Sequence, residues 1–110
     1  MKKKNRVRKA QEFQKLIHSG KKYSNGSYVI YCMPKADAQA RIGITLAKKI
    51  GHAVDRNHIK RQVRMMCQDL VDFDACPMDC IIIVRFGYKD HDYASNKLYL
   101  EKLLSKATML

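Results

Sequence analysis

Tryptophan is absent from the sequence, only two prolines occur, and 10 acidic residues face 22 lysines and arginines. Each shortage excludes something. Pro34 and Pro77 merely punctuate the chain, and no internal repeat is visible. No apolar run approaches the ~20 residues of a membrane-spanning helix. The lysine-rich start is not followed by the apolar stretch of an export signal. Glycines number five and form no phosphate-cradling loop. The carboxylates are scattered through loops, and no serine, histidine and aspartate set suggests a nucleophile. Asp69, Asp72, Asp74 and Asp79 match no calcium loop, so charge balance in a basic chain is their expected role.

Cysteines are few as well: Cys32, Cys67, Cys76 and Cys80. Three residues separate Cys76 from Cys80, but no second cysteine pair or paired histidines complete a tetrahedral metal site. No metal site and no cofactor of the protein itself is therefore expected. Without an export signal the thiols are expected to stay reduced, in a cytoplasmic setting.

What is present is apolar material and positive charge. A chain of 110 residues, 46% of them apolar, is expected to form a single domain with a modest core. The formal net charge is +12. Residues 2–22 hold nine basic residues against Glu12, and residues 48–64 hold six against Asp55. Charge clustered in this way suits a phosphate backbone, because each neutralised phosphate releases a condensed counterion.

Residues 1–9 read as a basic arm, free in isolation. Ala10, Phe13, Leu16 and Ile17 recur at helical spacing, and Gly20 is placed to stop a helix over 10–19. Residues 23–27 contain Asn-Gly and predict a turn, with a short extra strand before it near residue 22. Strands are predicted over 28–33 and 41–46, paired as a hairpin. Residues 54–70 form the clearest helix, with Ile59, Val63, Met66 and Leu70 on one stripe. An acidic loop precedes a buried strand over 80–86. The last helix spans 93–107, with Leu100, Leu103, Leu104 and Ala107 inward and Asp92 as N-cap. The order is α, β, β, α, β, α plus the short strand: an α+β single-domain sandwich with helices against one sheet.

On the second helix Arg56, Lys60 and Arg64 stack along one ridge, flanked by Asn57 and Arg61. Guanidinium groups meet phosphate oxygens in a two-pronged geometry, and lysine acts as a point charge. Asn57 offers both donor and acceptor to a sugar hydroxyl, a base edge or backbone. Lys48, Lys49 and Gly51 precede the helix and can meet the same polyanion, whereas His52 and His58 read as polar surface groups. A second candidate surface is aromatic. Were Phe13 and Tyr31 to face one groove between helix and sheet, bases of a single strand could stack there. Periodicity alone favours Phe13 as core. Tyr28 alternates to the opposite face from Tyr31 and reads as core.

The segment KKIGHAVDRNHIKRQVR, residues 48–64, resembles the signature of the bacterial ribonuclease P protein family. The likeness extends outward through NRVRKAQEFQKLIHSGKKYSNGSYVIY, RIGITLAKKIG and DCIIIVR, which cover most of the chain in order. His52, His58 and Ile17 depart from the asparagine, arginine and aromatic usual there. The resemblance implies a protein subunit that binds a catalytic RNA, one to one, and assists removal of the 5′ leader from precursor tRNA. It implies RNA-subunit contacts at Lys48, Lys49, Arg56, Asn57, Lys60, Arg61 and Arg64. It implies leader contacts at Phe13, Ile17 and Tyr31, and further arm contacts at Asn5, Arg6 and Arg8. Catalysis would belong to the RNA, with Mg2+ required by the holoenzyme. The fold it implies is like the second domain of ribosomal protein S5, with a left-handed β-α-β crossover where handedness rules favour the right. A structural RNA-binding protein of ribosomal type is the alternative. A DNA-binding helix lacks its paired-helix context, and a protein-only nuclease lacks its carboxylates.

Overall fold

A computed structural model describes residues 1–108. A 3-10 turn at Lys3–Asn5 leads to α1 (Ala10–Ser19), β1 (Lys21–Ser24), β2 (Tyr28–Pro34) and β3 (Ile42–Leu46). Then come α2 (Ala53–Leu70), β4 (Met78–Val84), a second 3-10 turn at Phe86–Asp90, and α3 (Tyr93–Thr108). The short extra strand expected near residue 22 is β1. The last strand begins and ends two residues earlier than the 80–86 expected.

The sheet order is β1-β2-β4-β3. The expected hairpin between β2 and β3 is therefore wrong: β4 lies between them, antiparallel to β2 and parallel to β3. The reason is chemical. From Asp79 to Ile82 every β4 residue is buried, so this strand needs cover on both faces and neighbours on both sides. In contrast, β3 alternates Ile42, Ile44 and Leu46 with Gly43 and Thr45 and can stand at an edge. The hairpin that does form joins β1 to β2 through the Asn-Gly turn. There the Asn25 side-chain oxygen accepts from the backbone N–H of Ser27 and Tyr28, at 3.0 and 2.9 Å.

The strand pleat sorts the apolar residues into two layers. Tyr28, Ile30 and Cys32 of β2 join Cys80, Ile82 and Val84 of β4 and Ile42 and Leu46 of β3 on one face. They pack against Ile59, Val63, Met66 and Cys67 of α2 and Leu100, Leu103, Leu104 and Ala107 of α3. Tyr28 is core, as its alternation predicts. A buried polar hub fastens α3. Asn96 donates to the carbonyls of Tyr88 and His91, its side-chain oxygen accepts from Ser27, and its carbonyl accepts from the Tyr28 hydroxyl. Asp92 caps α3, as expected, by accepting from the Ser95 N–H at 2.8 Å.

The opposite face carries a smaller layer of Val7, Leu16 and Ile81, with Phe13, Tyr31, Met33 and Ile83 half-buried around it. Val7 belongs to the segment expected to be a free arm. The structure instead docks it: Val7 donates its N–H to Ile42 at 3.2 Å, and Arg6 bridges to Ile42 alongside β3. The edge of β3 offers unpaired backbone groups, and buried Val7 and Asn5 hold the segment there.

All four cysteines are buried and free. Cys32 and Cys80, directly opposite on β2 and β4, bring their sulfurs to 2.8 Å. The Cys32 contact and burial raise the Cys80 pKa, and burial pushes the Cys67 thiol up to about 12. Among the described residues no group of three or more His, Cys, Asp or Glu is arranged to hold a metal ion.

Candidate nucleic-acid interface

The first candidate surface is α2 and the turn before it. Ile50 is fully buried and acts as a plug, so Lys48 and Lys49 beside it are held outward and exposed. Gly51 has φ of +55°, and a Cβ there would lie 2.6 Å from the Asp55 carboxylate. Glycine thus lets the chain turn sharply into α2. Ile59, Val63, Met66 and Cys67 point into the core. The remaining sector carries the cations: Asn57 and Arg61 are exposed, and Arg56, Lys60 and Arg64 are half-buried along the adjoining ridge.

Their placement adds nothing to helix stability through the dipole. Cations stabilise a helix near its C-terminus, by interaction with the dipole. In α2 the last turn holds no basic residue, and all four cations precede residue 65. None of the four pairs with an acid; the described ion pairs are Arg41 with Glu12 and Asp79, and Lys97 with Asp69. A charge arrangement that does not serve its own helix is available for an external anion.

Arg56 differs from its neighbours. Its guanidinium donates to the carbonyls of Ala47 at 2.9 Å and Leu46 at 3.5 Å. It therefore also ties the first turn of α2 to the end of β3. The N-terminal segment enlarges this surface. Met1 sits beside Arg61, Arg64 and Met65, and Lys2, Lys3 and Lys4 are exposed next to it. The first residues of one charge cluster thus lie beside the other, whereas Lys15, Lys21 and Lys22 lie apart on α1 and β1. Of the three candidate arm contacts, Arg8 is exposed, Arg6 is half-buried and donates to the Met1 carbonyl, and Asn5 is buried, donating to Gln39 at 3.0 Å.

The second surface is the cleft between α1 and the sheet. Phe13 and Tyr31 do share it. A Cβ on Gly43 would come within 2.7 Å of both the Phe13 ring and Ile81, so glycine at this position lets the ring lie directly on the sheet. Phe13 is only half-buried; the fully inward place on α1 belongs to Leu16, and Ile17 is half-buried. One end of α1 is pinned by Arg41, which pairs with Glu12 on the helix and reaches Asp79 on β4 at 3.5 Å. Asp79 is itself buried and accepts from the Arg41 N–H at 2.8 Å.

The register maps the cleft floor. One row across the sheet reads Lys22, Tyr31, Ile81, Gly43; the next reads Ser24, Val29, Ile83, Thr45. Val29, Tyr31, Ile83 and Thr45 are half-buried, because α1 covers only part of this face. Sequence reasoning missed Val29 and Ile83. Alternation from Tyr31 could have found Val29, whereas Ile83 required the strand order.

Comparison with known proteins accords with this architecture. The family model for ribonuclease P matches residues 1–108. A ribonuclease P protein component of Bacillus cereus is 38% identical over 110 residues, covering 99% of this chain and 96% of that protein. Among solved structures, a Staphylococcus aureus RNase P protein mutant with defective mRNA degradation activity superposes with a TM-score of 0.85 at 30% identity, covering 96% of this chain and 89% of its own. The RNase P protein of Thermotoga maritima, at 24% identity, shares the fold with a TM-score of 0.78 over 92% of this chain. An unpaired cationic helix, a half-open cleft on the other face and a likeness running the length of the chain converge on one assignment: the chain belongs to the ribonuclease P protein family, the accessory protein subunits of the RNA-based enzyme that matures the 5′ end of tRNA.

Proposed function

We propose that the chain divides its two surfaces between two RNAs. The outward sector of α2, with Lys48 and Lys49, binds the catalytic RNA; Arg61, Lys60, Arg64 and Asn57 face it, and Arg56 both contacts it and holds the helix in place. The cleft binds the single-stranded 5′ leader of precursor tRNA, with Phe13 and Tyr31 offering rings to the bases and Ile17 an apolar contact. The observation that carries the reading is the cleft: Phe13 of α1 and Tyr31 of β2, both half-buried, stand at an apolar floor that α1 covers only in part.

Mature tRNA has no leader, so contacts made in the cleft favour substrate over product. Stacking on a protein ring is worth about 1–3 kcal/mol per base, which corresponds to roughly 5- to 150-fold in affinity. The protein supplies fixed cations and a binding platform; the chemistry belongs to the RNA, which holds the Mg2+ the holoenzyme requires. One protein pairs with one RNA, in the bacterial cytoplasm.

The test is cleavage of a labelled precursor tRNA by a bacterial ribonuclease P RNA at low Mg2+, with and without this protein. Stimulation that disappears when the leader is cut to one nucleotide is the expected result. Stimulation that ignores leader length would remove the leader from the cleft and leave only the α2 surface.

A further inference from the structure

The row that contains Tyr31 does not end at Tyr31. Lys22 stands directly opposite it on β1, and residues directly opposite in an antiparallel pair project from the same face. Tyr31 is on the cleft face with Ile81 and Phe13. Lys22 therefore is too, one strand spacing of about 4.8 Å further toward the sheet edge. Lys21, its neighbour in sequence, pairs with Cys32 and so belongs to the opposite face, over which α3 packs.

Lys22 is exposed and takes part in none of the described ion pairs. The side chains sharing its two floor rows are Tyr31, Ile81, Ser24, Val29, Ile83 and Thr45, none of them acidic. The one carboxylate within the four strands, Asp79, is already engaged by Arg41, as is Glu12 of α1. The cleft floor is thus apolar and aromatic in the middle, with one unneutralised cation at its β1 edge. Proteins that hold single strands without sequence preference combine these two elements: rings for the bases and a positive charge tracking the backbone.

We infer that Lys22 is a leader-binding residue, which holds a phosphate of the strand whose base lies on Tyr31 and so extends the leader path across β1. The inference rests on the cleft reading above and adds a residue and a direction to it. A phosphate contact carries no sequence information, so Lys22 contributes affinity that depends on leader length and salt, and not on leader sequence.

The test uses the holoenzyme reconstituted with a bacterial ribonuclease P RNA. Affinity is measured for precursor tRNA with a long leader and with a one-nucleotide leader, over a range of salt. Four variants are compared with the parent: Lys22→Gln, Lys22→Arg, Lys21→Gln and Tyr31→Ala. Lys22→Gln is expected to weaken long-leader binding about two- to five-fold, the range of an exposed ion pair. It should also lower the log–log salt slope by about 0.7, the value for one phosphate of a single strand. The one-nucleotide substrate should be unaffected, and Lys22→Arg should retain parental behaviour. Lys21→Gln removes the same charge from the other face and should leave the preference for long leaders intact. Equal effects of Lys21→Gln and Lys22→Gln, or a Lys22→Gln effect that ignores leader length, would reduce Lys22 to bulk charge and overturn the inference. Tyr31→Ala separates the two levels. Loss of leader preference in Tyr31→Ala without any change in Lys22→Gln overturns the role of Lys22 alone, whereas no change in either overturns the cleft.

Discussion

Replacing Arg61 and Arg56 one at a time separates RNA binding from folding on the same helix. Arg61 is exposed and makes no described hydrogen bond or ion pair, so Arg61→Ala removes a charge and nothing internal. If it meets one phosphate of the catalytic RNA, the log–log dependence of affinity on salt should flatten by about 0.9. Over a four-fold change from 50 to 200 mM salt, that slope amounts to roughly 3.5-fold: the penalty of the substitution should be that much larger at the low end. Thermal stability should not move. Arg56→Ala should flatten the slope similarly but also lose the bond to the Ala47 carbonyl at 2.9 Å and the longer one to Leu46. Half-exposed charge-assisted bonds of this kind contribute about 1 kcal/mol. That corresponds to a fall in Tm of roughly 4–6 °C for a chain of this size. Filter-binding titrations across salt and a thermal melt of each protein are sufficient. An unchanged slope in Arg61→Ala would mean that the outward face of α2 does not touch phosphate. An unchanged Tm in Arg56→Ala would refute the structural half of the reasoning.

Gly43→Ala should displace the Phe13 ring from the sheet, costing about 1–3 kcal/mol by overpacking and reducing the preference for precursor over mature tRNA; a melt and a pair of binding curves measure both. Asn96→Leu should cost about 1–3 kcal/mol, because it orphans the buried hydroxyl of Ser27 and leaves the Tyr88 carbonyl with the His91 N–H alone; denaturant titration reads the loss, and the salt slope of the folded fraction should stay at the parental value. The protein without RNA, incubated with precursor tRNA and Mg2+, should yield no 5′ cleavage; robust cleavage by RNA-free protein would contradict the division of labour proposed above.

The helices were legible because their apolar period of 3.6 residues is uninterrupted. Ile59, Val63 and Met66 are buried as their spacing requires, and the cations of α2 fall on the complementary sector. Local chemistry also revealed the Asn25-Gly26 turn and the Asp92 cap. The strand order was not legible, because pairing partners 48 residues apart, such as Cys32 and Cys80, leave no periodic trace. The both-faces-buried run Asp79–Ile82 was the available hint that β4 is interior. The docked N-terminal segment was missed because Val7 is a single apolar residue among cations, too little for any pattern. Phe13 and Tyr31 were identifiable as candidates, but the seating of the Phe13 ring over Gly43 was not. The face on which Lys22 projects depends on a register that only the paired strands reveal.

The interior position of β4 has a consequence for biogenesis. Residues 78–84 supply the middle of the sheet, so while the ribosome is still making them β2 and β3 have no common neighbour. At that stage α2 lacks the floor it rests on, and Tyr31 has no Ile81 beside it. Neither the α2 face nor the cleft can mature ahead of the other; both wait for the same seven-residue strand. A nascent chain shorter than this is a polycation without a scaffold, liable to stick to any nearby nucleic acid. Completion of β4 sets both surfaces at once, and any ligand that binds only the folded chain then stabilises it by mass action.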